Sequence, residues 1–293
     1  MTGTATRGLA VARPARDVVV VTGPDAFEYL QSLVSQDLDG LADGEAVHSL
    51  LLTPQGKLDV DFWLVRRGDA AWLVCEGGFG ERLATSLGRF KIRVQVEVAL
   101  EPSLAVLALR GEGAGTVAGR GDGGAAIAVP WAGAEAVDVV GGAAVLDALA
   151  QAAVDAGAER WTAEEYEAAR IAAGVPRLGL DLDEKTIPQE AYLELVAVSF
   201  SKGCFLGQEL VCRLDTRGHV NRYLRRLTAA GGERPPAGAD VVVGDKTVGA
   251  VTSAAGSTAL GYVRREVEPP AEVTLRWNGT EARATVEKIP AAP

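Results

Sequence analysis

Ser201-Lys-Gly-Cys-Phe-Leu-Gly-Gln-Glu209 concentrates more chemistry than any other stretch of this chain. Two glycines bracket a cysteine, with a lysine two positions before it. Gly203 permits a tight or left-handed backbone, and Gly207 leads into a short helix predicted over 207–214. Cys204 would then lie just ahead of the positive end of that helix and near the Lys202 ammonium. Both favour thiolate over thiol, so Cys204 and Lys202 are the catalytic candidates. A small buried cysteine in a turn accounts for the same residues equally well. A zinc reading of Cys204, Cys212 and His219 lacks a fourth ligand and fits no common spacing. The only histidines are His48 and His219, and nothing in the sequence pairs either with a nucleophile.

Downstream of this stretch the pattern changes to short strands and turns. Gly244-Asp245 separates Val241–Val243 from the strand 247–251. Asn278-Gly279 separates Val273–Trp277 from the strand 280–286, the strongest two-residue hairpin signal. The expected organisation is an α+β body over residues 1–224, in two lobes, and a small C-terminal β-barrel over 225–293. Upstream, strands are predicted over 17–21, 46–53, 57–66 and 70–76, the last two forming a hairpin. A helix is expected to start at Thr22 as N-cap, and another runs over 81–90. Residues 91–98 alternate cleanly and predict a half-buried strand. Thr162-Ala-Glu-Glu165 is a capping box that opens a helix through about Ala173. The glycine-rich 111–124 segment fits neither G-x-G-x-x-G nor G-x-x-x-x-G-K-[ST], so it reads as a surface loop, with Arg120-Gly-Asp122 a chance tripeptide.

The net charge of −10 gives no whole-chain support for binding nucleic acid or an anionic membrane, although a pocket can differ in sign from the whole. Three cysteines without a CxxC pair argue against a disulfide framework and fit a reducing cytoplasm. The apolar run Val18–Val21, behind Arg7, Arg13 and Arg16, is too short for a signal peptide or membrane span.

Lys202-Gly-Cys-Phe-Leu-Gly-Gln-Glu209 resembles the K-G-C-[YF]-x-G-Q-E signature of the YgfZ family, which includes factors that support iron–sulfur cluster assembly. Arg170-Ile-Ala-Ala-Gly174, Asp181 and Ile187-Pro-Gln-Glu190 resemble the R-x-x-x-G, D and [TI]-P-x-E run of the wider glycine-cleavage T-protein superfamily. Arg217-Gly218 and Arg222 follow the cysteine motif as they do in the family. Leu52–Lys57 with Asp61, and Val248-Gly-Ala-Val-Thr-Ser253, resemble an early strand and a C-terminal barrel segment of the same group. The resemblance implies a three-lobed fold around a central funnel holding tetrahydrofolate or a derivative. A pterin presents adjacent N–H donors that suit a carboxylate, and its glutamyl tail wants a cation.

Asp61 is the first candidate acid. Along its strand Asp59, Asp61 and Trp63 share one face, opposite Leu58, Val60, Phe62 and Leu64; an ordinary solvent-facing edge would look the same. Arg170 is the candidate cation, and Gly203, Gln208 and Glu209 are the binding candidates within the cysteine motif. Trp131–Val139 falls where T-proteins carry an acidic segment, which makes Glu135 or Asp138 a second acid to consider.

Two departures bear on activity. Aminomethyltransferases read R-L-E-A-G where this chain has Ala172, and they lack the cysteine motif. The resemblance therefore implies a folate-binding accessory protein for iron–sulfur clients, with tRNA modification as a linked role, over an aminomethyltransferase or demethylase. A thiol-based redox or scaffold protein is a third reading. The expected partners are a folate and iron–sulfur client or assembly proteins, without nucleic acid or membrane.

Overall fold

The computed structural model describes residues 8–121 and 123–290. Arg7 and Asp122 lie outside the described residues. The strands and helices in chain order begin with β1 (Ala10–Ala12), β2 (Arg16–Thr22), α1 (Ala26–Leu33), β3 (Ala46–Leu52), β4 (Leu58–Arg67), β5 (Ala70–Glu76) and α2 (Gly80–Gly88). Next come β6 (Glu97–Leu100), β7 (Leu104–Arg110), α3 (Ala114–Ala118), β8 (Ala125–Ala128), β9 (Ala136–Gly142), α4 (Ala143–Asp155), β10 (Glu159–Arg160) and α5 (Ala163–Ala172). The remainder are α6 (Glu194–Ala197), α7 (Gln208–Arg217), β11 (Arg222–Ala229), β12 (Asp240–Val243), β13 (Lys246–Ala255), β14 (Thr258–Arg264), β15 (Ala271–Trp277) and β16 (Thr280–Lys288).

Three sheets result. The first has the order β3-β4-β5-β2-β6, the second β10-β1-β7-β9-β8, and the third closes into a barrel, β11-β14-β13-β12-β15-β16. The chain begins in the second sheet with β1 and crosses at once to the first with β2. Val18, Val65 and Val74 of the first sheet pack with Val106, Ala125, Ile127 and Val140 of the second in one apolar cluster. At roughly 1.5–3 kcal/mol for each fully buried aliphatic side chain, that cluster fixes how the two sheets sit together. The barrel fills its own interior with Leu227, Val241, Val251, Val263, Leu275 and Val286. Its last hairpin turns at Asn278 and Gly279, both with positive φ (46° and 77°), as a tight two-residue connection requires. The α+β body and the C-terminal barrel read from the sequence are both present.

Three local expectations are corrected. Thr22 ends β2 and does not cap α1; the cap position is Asp25, whose carboxylate accepts the Gln95 amide at 2.6 Å instead of a helical one. The alternating 91–98 segment is a strand only from Glu97, because β2 offers it a partner no further than Thr22. Unpaired, the chain bulges outward, leaving Ile92 73% exposed and Arg93 at φ 56°. The glycine-rich segment also contains a helix, α3. Its first amides, those of Gly113 and Gly115, are taken by the Glu135 carboxylate at 3.0 and 2.9 Å. The capping box at Thr162 forms as predicted, with Glu165 reaching back to the Thr162 amide at 2.7 Å.

Candidate functional site

A cavity of about 360 Å³ lies where the first sheet, the second sheet and the connections leading to and from the barrel meet. Its size falls within the roughly 300–1,000 Å³ of small-molecule sites. Alternation along β4 puts Leu58, Val60, Phe62 and Leu64 in the core and turns Asp61 and Trp63 to the cavity. Asp61 is therefore on the wall, as expected of it. On the neighbouring strand, His48 pairs in register with Trp63 and stacks on its ring at 4.8 Å and 11°. The His48 Nε2 lies 3.3 Å from the Asp61 carboxylate. Asp59, from the same face, is spent on Arg82 at 2.7 Å.

The opposite wall comes from the second sheet. Asp138 on β9 lies 2.7 Å from the guanidinium of Arg110, which ends β7. Arg110 also donates to the Tyr166 hydroxyl at 3.1 Å and lies over the Trp131 ring at 4.3 Å from its centroid. A third cluster closes one side. Glu76 accepts from Arg16 and, at 2.9 Å, from Arg177, and Arg177 also reaches Glu167 at 3.2 Å. Burial pushes the Glu76 carboxyl above its ordinary range, against the pull of the two arginines. Cys75, on the same wall, is pushed up to about 12, first by burial and then by the neighbouring carboxylates of Asp17 and Asp61.

Residue by residue, the sequence candidates divide. Only Asp61 lines the cavity; Arg170, Lys202, Gly203, Cys204, Gln208 and Glu209 are not among its lining residues. Arg170 is 2% exposed, and its guanidinium bonds Glu167, Asp181, the Val175 carbonyl and the Ser253 hydroxyl. Every donor nitrogen is committed, so none is left for a ligand. Asp181 in turn accepts from Thr252 and Ser253, two successive barrel hydroxyls brought to it by a β-bulge in β13. The R-x-x-x-G, D and V-T-S segments thus converge on one buried knot that ties α5 to the barrel. The expectation of Arg170 as a ligand cation gives way to Arg16 and Arg177, which do line the cavity.

The cysteine motif sits on the outside of the first sheet. The Lys202 ammonium donates to the Gln31 side-chain oxygen (3.2 Å) and to the carbonyls of Val34 (2.9 Å) and Gln36 (2.7 Å). Its three N–H groups match those three acceptors, so the ammonium caps the C-terminal end of α1 and is not spent on the sulfur. Burial lowers the Lys202 pKa to about 8, offset in part by Asp37 and Asp39. Gly203 is not in the left-handed region; Gly207 is, at φ 77°. A Cβ on Gly207 would stand 2.3 Å from the Thr53 carbonyl, so the backbones touch there and only glycine fits. Gln208 accepts the Phe205 amide at 3.2 Å, Glu209 is exposed, and Cys204 is an exposed free thiol. Among the described residues no group of three His, Cys, Asp or Glu could hold a metal ion, which removes the Cys204–Cys212–His219 reading.

Sequence reasoning missed His48, Arg110, Tyr166 and the Arg16–Glu76–Arg177 cluster. A usable signal existed for Arg110, a lone cation closing the apolar run Leu104–Leu109. The acids weighed in the 131–139 segment now separate: Asp138 lines the cavity, and Glu135 caps α3.

Residues 224–292 match the CAF17 C-terminal beta-barrel domain. An aminomethyltransferase of Rubrobacter xylanophilus is 28% identical over 90% of this chain and 78% of its own length. The tRNA-modifying protein YgfZ of Yersinia enterocolitica is 26% identical over 76% of this chain and 72% of its own. The crystal structure of the glycine cleavage system aminomethyltransferase T from Bartonella henselae superposes with a TM-score of 0.85 at 21% identity, covering 98% of this chain and 88% of that one. Fold and barrel together define a T-protein-like chain with a CAF17-type C-terminal barrel. In sequence and fold it is similar to the YgfZ-type, T-protein-like proteins. Among the described residues no helix is long and apolar enough to cross a membrane.

Proposed function

We propose that the central cavity binds a reduced folate and that the protein acts as a folate-dependent accessory factor for iron–sulfur proteins in the cytoplasm. The observation that carries the folate half is the wall itself. Two carboxylates from two sheets, Asp61 and Asp138, border a cavity of ligand size lined by His48, Trp63, Trp131 and Tyr166. Adjacent pterin donors suit such carboxylates, and a flat bicycle suits aromatic walls. The residues present fit the ligand on one further point: His48 Nδ1 and Arg110 Nε are buried with no hydrogen-bond partner, and Asp138 Oδ1 meets only the Arg110 guanidinium. Buried polar atoms of native proteins are rarely left so. Asp61 and Asp138 would hold the pterin, and Arg16 and Arg177 would face the anionic glutamyl tail. Bound tetrahydrofolate supplies a one-carbon acceptor; the chain's own residues bind, orient and keep water out.

The accessory half rests on the YgfZ resemblance and on the placement of Cys204, exposed and outside the cavity lining. A solvent-facing thiol can meet a client protein. The reading as an aminomethyltransferase or demethylase keeps support from the Rubrobacter relative and the shared fold. Turnover with a lipoyl carrier and ammonia separates the two; a robust rate would favour the enzyme. The decisive test of the folate half is calorimetric titration with tetrahydrofolate and its 5-formyl form, wild type beside Asp61→Ala. Wild type should bind and the variant should lose about tenfold or more. No binding by wild type leaves a thiol-based redox or scaffold protein. For the accessory half, Cys204→Ala should lower the activity of iron–sulfur enzymes in cells, and unchanged activity overturns it.

A further inference from the structure

Arg110 is among the largest fully buried side chains, at 1% exposure, and folate binding by itself assigns it no task. Burying a guanidinium is costly unless it is paired and hydrogen-bonded, so its surroundings show what it is for. It donates to the carbonyls of Leu109 and Val137 at 3.0 and 3.3 Å and to the Tyr166 hydroxyl at 3.1 Å. Its carbon lies 4.3 Å above the Trp131 ring and 5.5 Å from the Tyr166 ring. These contacts come from β7, β9, α5 and the 130–132 segment, so the guanidinium plane is fixed from four sides. Toward Asp138 the contact is a 2.7 Å ion pair, and no other donor meets Asp138 Oδ1. The charge of Asp138 is therefore compensated while the oxygen keeps its capacity to accept. Burial works against the Arg110 charge, but Asp138 and Tyr166 outweigh it and hold its pKa above the ordinary value.

We propose that Arg110 is a positioning residue that holds Asp138 as an oriented, charge-balanced acceptor for the ligand's N–H donors. This rests on the folate reading of the cavity. It adds an asymmetry between the two walls: Asp138 has a permanently charged, rigidly stacked partner, whereas Asp61 has a histidine at 3.3 Å. A lysine cannot replace Arg110, because a point charge on a flexible stem neither lies flat over the Trp131 ring nor reaches these separate acceptors from one planar group.

The test is a double-mutant cycle read by tetrahydrofolate calorimetry, with Arg110→Lys, Asp138→Asn and the double variant. Each single variant should bind about tenfold more weakly, and the double should be no weaker than Asp138→Asn alone. That non-additivity marks action through Asp138, which a merely structural residue would not show. Should Arg110→Lys not fold, Tyr166→Phe takes its place, since it removes one acceptor that fixes the guanidinium and leaves the ion pair. It should weaken binding about threefold in wild type and not at all in Asp138→Asn. If wild type binds and Arg110→Lys binds equally well, or if the penalties simply add, the proposal is overturned and the folate reading survives. If wild type does not bind tetrahydrofolate, both fall.

Discussion

The buried knot at the base of α5 and the wall of the central cavity are both built from acid–base pairs, and they differ in what their hydrogen bonds leave over. In the knot, Arg170 commits every donor nitrogen, and Asp181 accepts from Arg170, the Arg177 amide, Thr252 and Ser253. On the cavity wall, Arg110 and His48 each keep a buried nitrogen without a partner, and Asp138 Oδ1 meets only the Arg110 guanidinium. A saturated network specifies structure, and an unsaturated one is free to specify a ligand. The R-x-x-x-G, D and V-T-S motifs meet on the saturated network, while Asp61 of the early-strand motif lies on the wall among isolated residues.

The largest effect that could break this comparison is on stability. Asp181→Ala leaves Arg170 buried without its second carboxylate and takes the acceptor from the Ser253 hydroxyl and the Arg177 amide. The expected loss is about 3–5 kcal/mol in urea unfolding, with tetrahydrofolate affinity of the folded fraction within about twofold of wild type. If affinity collapses while stability holds, the knot is part of the site. Asp61→Asn should do the reverse. Its one partner is His48, through a single contact at 3.3 Å, so the stability change should stay below about 1 kcal/mol. Tetrahydrofolate affinity should fall about tenfold or more. Between these lies Ser253→Ala, which removes one hydroxyl from Asp181 and one acceptor from Arg170; about 1–2 kcal/mol of stability is expected, with binding unchanged.

This division explains how much of the molecule could be read from its residues. The hairpins at Gly244-Asp245 and Asn278-Gly279, the capping box at Thr162 and the alternation of β4 are local signals, and local physics decides them. The 91–98 segment failed because alternation says which face would be buried, not whether a partner strand is in reach; β2 stops at Thr22. The face that Asp61 shares with Trp63 was legible because its strand declares its two faces, whereas the choice of a cavity over solvent for that face came from the family resemblance. His48, Arg110 and Tyr166 were not, because each is an ordinary residue until strands β3 and β7 and helix α5 bring it beside an acid. Arg170 and Lys202 misled for the opposite reason. The cysteine motif is specific and the R-x-x-x-G run weak on its own, but in neither does spacing say whether a cation faces a ligand, a carboxylate or a helix end.

Lys202 gives the smallest effect and the sharpest check on that last point. Among the cysteines, burial pushes Cys75 up to about 12, and burial with Asp215 raises Cys212. A folded sample at pH 8 should therefore show one fast equivalent with a disulfide reagent, and Cys204→Ser should abolish it. If the Lys202 ammonium activated the sulfur, Lys202→Met would slow that reaction about tenfold. Its three hydrogen bonds run instead to Gln31, Val34 and Gln36, at the end of α1. Removing them loosens the tether of the 199–207 loop and takes no hydrogen bond away from the sulfur. The Cys204 rate in Lys202→Met should accordingly be equal to wild type or up to about threefold faster, and a clear slowing would return Lys202 to the chemistry of the thiol.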